Sequence, residues 1–321
     1  MISRITCSVV VPVYNEELVI DETYKRLKEV MDGAKETYQI IFVNDGSMDS
    51  SRNKIEDLCK KDDKITLVNF SRNFGHQAAI SAGMDASNGK CVVVIDADLQ
   101  DPPEVIIKML EKWKAGYEVV HGKRTKRQGE SAFKKLTAAA YYRLLRKITS
   151  VDIPVDTGDF RLIDRKVCNA LTSLPEKNRY VRGLVSWVGY KQTFVEFSRQ
   201  GRFAGETKYP LKKMIKLALD GLTSFSHAPL VISGYLGAVT SLIGFIMLII
   251  SVINNVLNGS FNLSLGLFLS INMIMFGLVF CCMGIMGEYI GRISDESKGR
   301  PLYIIESKIN YKRVDRYAVG S

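Results

Sequence analysis

Between Gly221 and Gly287 the chain carries no Asp, Glu, Lys or Arg. A stretch of that length without a formal charge does not make surface helices of a globular domain, because such helices need a polar face. Two segments within it, 230–253 and 265–287, are mostly apolar. At ~1.5 Å per residue, each is long enough to cross the ~30 Å hydrocarbon core of a bilayer. The sequence therefore predicts two membrane-spanning helices. Lys208, Lys212, Lys213 and Lys216 precede the first, and Arg292, Lys298 and Arg300 follow the second, whereas 254–264 has no basic residue. Positive flanks stay in the cytoplasm, so the hairpin is expected to go out and return.

The rest of the chain reads quite differently. Short apolar, β-branched runs at 5–11, 38–43, 65–70 and 92–95 predict buried strands. Segments 16–31, 50–60, 76–86 and 103–114 predict the helices between them. Such alternation predicts an α/β domain with a mainly parallel sheet covered on both faces. Segment 5–11 reads as a first strand, not a targeting segment. After Gly122 the alternation fades: 133–149 reads as a basic helix, Thr157–Asp164 as a turn into a short strand, and 179–188 as another helix. In 211–225, Leu211, Met214, Ile215, Ala218, Leu222 and Phe225 recur at helical spacing with lysines between them. That pattern predicts an amphipathic helix lying on the cytoplasmic membrane surface. The expected organisation is a cytoplasmic domain over 1–209, an interfacial helix over 210–228, spans within 229–290 and a cytoplasmic tail over 291–321.

The formal charge of +10 raises the question of nucleic acid. No basic stretch is interleaved with aromatics as a stacking platform, so anionic lipid and diphosphate are the expected partners. The six cysteines show no metal-like spacing and read as reduced, packed thiols. His76, His121 and His227 are scattered and read as structural or loop histidines.

The chemistry sits at the strand ends. The run Val92-Val93-Val94-Ile95 stops at Asp96-Ala97-Asp98, with Gln100, Asp101, Pro102 and Pro103 following. In an open α/β sheet, ligands collect outside the carboxyl ends of strands. Two acids there, with Gln100 two residues on, make an oxygen set suited to Mg²⁺ or Mn²⁺ that leaves positions for phosphate oxygens. The other strands end in Pro12-Val13-Tyr14-Asn15-Glu16-Glu17, in Asn44-Asp45-Gly46-Ser47 and in Ser71-Arg72-Asn73-Phe74-Gly75. Any one of these makes a good turn or helix cap. Four at one edge of a sheet predict a nucleotide pocket.

These motifs resemble the signature of glycosyltransferase family 2. More narrowly, the chain resembles its dolichol-phosphate-mannose-synthase-like branch of polyprenyl-phosphate glycosyltransferases, in particular the bacterial undecaprenyl-phosphate glucosyltransferases. The likeness runs from about Ile5 to about Tyr303 and includes Arg199-x-x-Arg202 with Gly205-Glu206-Thr207-Lys208-Tyr209. It implies a GT-A (Rossmann-like) catalytic domain, a UDP-sugar donor and a polyprenyl phosphate acceptor at the cytoplasmic face of the inner membrane. By this resemblance Pro12, Tyr14 and Glu16 would line the base and ribose, and Asp45 would meet the uracil edge. Asp96 and Ala97 would sit by the ribose, with Asp98 and Gln100, joined by Asp96, at the metal. Arg124 would approach the sugar diphosphate, and Arg202 and Lys208 would close over the phosphates.

The acceptor phosphate, with a second pKa near ~6, is already a strong anionic nucleophile at neutral pH. What needs stabilising is charge on the departing diphosphate, and attack from the opposite face gives inversion. Asp156 and Asp159 are candidates for orienting the acceptor or the sugar, and an anionic acceptor leaves Asp159 little to do as a base. Arg143, Arg146 and Lys147 are candidates for the phosphate entry face. Glucose is the favoured sugar and N-acetylglucosamine the next, for cell-envelope glycosylation; a flippase and a second transferase are expected partners by resemblance. Ser233, Gly237 and Ser241 repeat at a spacing that lets helices approach closely, either the second span or another copy of the chain. A processive polysaccharide synthase fits less well, because that class usually carries Gln-x-x-Arg-Trp and more spans, and neither Trp113 nor Trp187 follows an arginine. A catalytically inactive membrane scaffold fits less well because the acidic pair and basic loop are complete.

Overall fold

The computed structural model describes residues 5–125, 157–199, 228–258 and 265–311. The chain divides into two compact units. One holds the residues up to 218, apart from 148–150, together with those from Pro301 onward; the other holds 148–150 and 219–300.

The first unit is built on β1 (Cys7–Val13), β2 (Tyr38–Asn44), β3 (Ile65–Phe70) and β4 (Cys91–Val94). Every residue of these four strands is buried, as expected of parallel strands covered on both faces. Helices α1 (Ile20–Gly33), α2 (Ser51–Lys61) and α3 (His76–Ala86) make the crossovers. Next come α4 (Val105–Lys114), β5 (Val119–Arg124), β6 (Thr157–Asp164), α5 (Arg165–Ser173), α6 (Val181–Trp187) and β7 (Gln192–Phe197). The sheet ends with β8 (Ile305–Ile309). Among the described residues its order is β7-β5-β6-β4-β1-β2-β3-β8. Strands β1, β2, β3 and β4 run parallel; β6 is antiparallel to both neighbours and β8 is antiparallel to β3. The expected α/β architecture is therefore present, with a mostly parallel but mixed sheet.

The chain moves outward from β1 through β2 to β3, then returns to place β4 on the other side of β1. That reversal opens a crevice at the carboxyl ends of β1 and β4, the position where such sheets bind ligands. Close packing supports it from one face. A Cβ on Gly83 of α3 would lie 2.1 Å from Val10 Cγ1, so only glycine lets α3 settle on β1.

Strand β3 and helix α3 match the sequence expectation residue for residue. The other early elements shift by a few residues at their ends, with α1 starting at Ile20 and not at Glu16. Strands β5, β7 and β8 had not been expected at all. The expected helices 133–149 and 211–225 lie outside the described residues, as do Arg143, Arg146, Lys147, Asp156, Arg202 and Lys208.

The second unit contains α7 (Ala228–Asn258) and α8 (Leu265–Ser297). They lie side by side, with the Cys282 thiol donating to the Ser233 carbonyl at 3.8 Å. Among the described residues one stretch, Ile274–Ser297, is long and apolar enough to cross a membrane, and Leu230–Ile246 is a shorter apolar run. The two expected helices are thus present as helices. Among the described residues the apolar stretch of α8 extends further toward the carboxyl end than the expected 265–287, and that of α7 is shorter than the expected 230–253.

Candidate active site

The loop after β4 is the centre of the site. Leu99 takes a left-handed conformation (φ 57°), which turns the backbone sharply between Asp98 and Gln100. The Asp98 carboxylate accepts the Gln100 amide at 3.1 Å, so this turn fixes the carboxylate. Thr23 of α1 holds the loop from behind, donating to the Ala97 carbonyl at 2.7 Å.

Two arginines from distant strands answer this acidic loop. Asp101 is 1% exposed and pairs with Arg124, from the end of β5, at 3.1 Å. Arg199, just past β7, donates to Gln100 Oε1 at 2.6 Å, and its Nε lies 3.7 Å from Asp101. The position of Arg124 depends on Gly158, where a Cβ would come within 2.6 Å of the guanidinium. Gln100, expected at the metal, thus has its side-chain oxygen committed to Arg199.

Beside this loop lies a second cluster centred on Asp159, which is 5% exposed at the start of β6. Arg182 of α6 grips it with two hydrogen bonds of 3.0 and 2.9 Å. Arg161, on the same face of β6 and 2% exposed, adds one at 3.3 Å. His76, at the start of α3, places Nε2 3.4 Å from Asp159 and 3.5 Å from Asp96. Burial works against ionisation of Asp159, but the charges of Arg182 and His76 and their hydrogen bonds hold it well below the usual carboxylate range. For His76, desolvation opposes the charge, and the Asp159 hydrogen bond with the two carboxylates overcomes it, lifting the imidazole to about 9. Asp96 is pushed up to about 6 by desolvation and by Asp159, Asp98 and Asp101, against the pull of His76. Its side chain keeps 31% of its surface exposed, yet Oδ1 is buried and makes no hydrogen bond.

His76 therefore corrects the expectation that the histidines are structural. Neither it nor Arg182 belongs to any recognisable spacing pattern. Arg161 does carry a signal: it stands two residues from Asp159, so in a strand both point to one face.

The nucleotide side is formed by the ends of β1 and β2, which are laced together. Asn15, in a left-handed conformation, receives from the Met48 amide at 2.8 Å and donates its own amide to Ser47 Oγ at 3.0 Å. The Glu16 amide donates to Ser51 Oγ at 2.9 Å. Pro12 is buried within β1, and Tyr14 and Glu16 are partly exposed just beyond it. Asp45 follows β2 directly. It is 3% exposed, and its carboxylate accepts the Phe74 amide at 2.7 Å and the Gly75 amide at 3.0 Å. These two bonds tie the end of β2 to the loop after β3.

Among the described residues, no group of three or more His, Cys, Asp and Glu side chains is arranged to hold a metal ion. A cation held on a nucleoside diphosphate does not need one, since Mg²⁺-type sites use one or two carboxylates and complete the shell with phosphate and water. Asp98, with Asp96 beside it, fits that requirement.

Residues 8–172 match the model of "Glycosyl transferase family 2". The chain is 56% identical over 318 residues to "Uncharacterized glycosyltransferase YkcC" of Bacillus subtilis (strain 168), covering 98% of each. It is 39% identical to "Bactoprenol glucosyl transferase" of Shigella phage SfX, covering 94% of this chain and 99% of that one. A solved structure of glucosyl-3-phosphoglycerate synthase from Mycobacterium tuberculosis, in complex with Mn²⁺, UDP-glucose and phosphoglyceric acid, aligns at 20% identity with a TM-score of 0.48, over 67% of this chain and 76% of that one. This chain belongs to glycosyltransferase family 2 and is a glycosyltransferase.

Proposed function

We propose that the protein transfers a hexose from a UDP-sugar, UDP-glucose first and UDP-N-acetylglucosamine next, to a polyprenyl phosphate at the cytoplasmic membrane face, with inversion. The observation that carries this reading is the site itself, an acidic Asp96–Asp101 loop at the β1/β4 crevice faced by Arg124, Arg199, His76 and Arg182. Near full-length similarity to proteins named bactoprenol glucosyl transferases supports the acceptor class.

In this reading Asp98, with Asp96, holds a divalent cation, Mg²⁺ or Mn²⁺, which supplies charge neutralisation to the leaving diphosphate. Tyr14, Glu16 and Pro12 form the nucleoside side, and Ala97 stands against the ribose. Arg124 faces the sugar diphosphate; Arg202 and Lys208 are assigned to the phosphates from sequence.

Asp159 serves as a counter-ion. Its oxygens are engaged by Arg182, Arg161 and His76, which leaves no basic lone pair to collect a proton. A phosphate nucleophile has almost no proton to give up at neutral pH, so no base is required. What Asp159 provides is a fixed orientation for cations that face anionic substrates, and preorganised charge of this kind is the main catalytic resource of such sites.

An isoprenoid chain stays in the bilayer, and we assign α7 and α8 to the membrane, with 1–209 and 291–321 in the cytoplasm and 210–228 at the interface. The charge-free run from Gly221 to Gly287 supports two spans. The test is incubation of the purified full chain with undecaprenyl phosphate, Mg²⁺ and a panel of UDP- and GDP-sugars. Mass spectrometry then detects a glycosyl-phosphate lipid from one donor, absent with Asp98→Ala. Intact donors throughout would overturn the reading in favour of an inactive scaffold.

A further inference from the structure

The segment that follows α8 does not trail away from the sheet. Residues 305–309 add β8 to the open edge of β3, pairing Leu67 with Ile309 and Asn69 with Ser307. Several side chains fasten it. Arg52 reaches both oxygens of Glu306 at 3.1 Å, Asn69 donates to Ser307 Oγ at 2.9 Å, and Asn310 donates to the carbonyls of Cys59 and Ile65 at 2.7 and 3.1 Å. The Ser71 amide donates to the Ile304 carbonyl at 3.1 Å, which carries the pairing past the end of β3 into the loop beyond.

Tyr303 touches both elements that lead into the site. Its ring stacks on Phe70, the last residue of β3, at 5.1 Å and 12°. Its hydroxyl donates to Asp85 in the last turn of α3 at 2.5 Å. Phe70 meets Phe74 edge-on at 5.6 Å, and Phe74 gives its amide to Asp45. The loop from Ser71 to Gly75 thus lies between two fixed points: Asp45 at the nucleotide side, and an aromatic stack contributed from beyond the last long helix. His76 begins where that loop ends.

We propose that residues 301–311 form a strap that sets the donor pocket, with Tyr303 as a positioning residue for nucleoside-diphosphate-sugar binding. This rests on the transferase reading above and adds to it. The chain leaving α8 is a structural part of the donor side, so the donor pocket is complete only when the segment after the helices has folded back. Tyr303 touches no substrate; it acts through Phe70, Phe74 and Asp45 on one side and through Asp85 and α3 on the other.

The experiment uses the full chain in detergent or nanodiscs, with Tyr303→Leu, which removes the stack, and Tyr303→Phe, which keeps the ring and removes the hydroxyl that binds Asp85. Amide hydrogen exchange over 71–77 is read without any ligand, and donor KM and kcat are read from lipid product formation. Loss of the stack is expected to raise donor KM about three- to tenfold with kcat within about twofold, in keeping with the strength of one aromatic pair. Exchange at Phe74 and Gly75 should accelerate in step, and Tyr303→Phe should fall between Tyr303→Leu and the parent. If Tyr303→Leu does not fold, Tyr303→Phe and Asp85→Asn carry the test, each with a smaller rise in KM and the same faster exchange. Unchanged exchange and donor KM in the variants would overturn the proposal, as would a loss confined to kcat. Should the parent chain transfer no sugar, the exchange arm still decides on the strap while the transferase reading falls separately.

Discussion

The Asp159 cluster makes the sharpest prediction, because a counter-ion and a base respond in opposite directions when Arg182 is removed. Arg182→Met takes away two hydrogen bonds of 3.0 and 2.9 Å but leaves Arg161 and His76 on the carboxylate. Asp159 keeps partners, so the stability loss is set by charged hydrogen bonds at a partly exposed arginine, about 1–2 kcal/mol. Asp159→Asn is harsher. It leaves Arg161, 2% exposed, with its backbone acceptors Gly158 and Asp159 but no opposing charge, and breaking a buried pair in this way costs about 3–5 kcal/mol. In the double variant the asparagine no longer faces the Arg182 charge, so the two losses sum to more than the double costs, by about 1–2 kcal/mol of coupling. The chain has two tryptophans, Trp113 on α4 and Trp187 on α6, both in the sheet unit. Their fluorescence reads the unfolding of that unit directly, and the expected drops in midpoint are about 2–4 °C per kcal/mol. In the transfer assay Arg182→Met should lower kcat at least about tenfold, the loss of one preorganised cation. If Asp159 were a base restrained by Arg182, releasing it would make it more basic and raise kcat. Parent-like or higher activity in Arg182→Met, or strictly additive stability losses, refutes the counter-ion account.

Three further predictions concern separate parts of the fold. Gly83→Ala drives a Cβ to 2.1 Å from Val10 Cγ1 and should destabilise the sheet unit by about 1–3 kcal/mol, with partial recovery in Gly83→Ala/Val10→Ala, as thermal unfolding will read. Gly158→Ala should push Arg124 off Asp101 and raise donor KM while the unfolding midpoint moves little, since the displaced atoms are the end of a flexible side chain. Burial and the nearby Arg161 charge push buried His121 down to about 4 from 6.5, so between those values the unfolded chain binds more protons than the folded one. Its contribution is complete above about 6.5 and is lost as pH falls toward 4, by about 3 kcal/mol, and His121→Gln should flatten that part of the stability–pH curve in denaturant titrations.

The parts legible in the sequence are those with local signatures. Buried parallel strands are continuous apolar runs, so β1 to β4 stand out, and the polar residues that stop them mark the crevice. Strands β5, β7 and β8 lack that signature for definable reasons. Four of the six residues of β5 are His121-Gly122-Lys123-Arg124, β7 lies at an edge with exposed and buried residues interspersed, and β8 is Ile-Glu-Ser-Lys-Ile. Each becomes a strand through a partner far away in the chain, and β8 pairs with residues more than two hundred positions earlier. The acidic residues of the site were legible because they cluster in sequence. Arg124 and Arg199 stood in motifs that the resemblance picked out, but His76 and Arg182 did not, since they reach the acids from two separate helices. Asp45 shows the reverse: its motif was plain, but the two amides that the loop after β3 brings to it were not. The long helices were visible from the absence of charge, while the number of spans depends on apolarity along α7 that the described residues carry only in part.

The central claim is transfer to a lipid phosphate, and the most direct test is the stoichiometry of nucleotide release. Nucleoside diphosphate formed from UDP-glucose is measured with and without polyprenyl phosphate, alongside the glycosylated lipid. The account predicts one nucleotide released per lipid product, no release without the acceptor, and loss of both in Asp98→Ala. Nucleotide released at the same rate without polyprenyl phosphate, or sugar recovered on another acceptor, would contradict it.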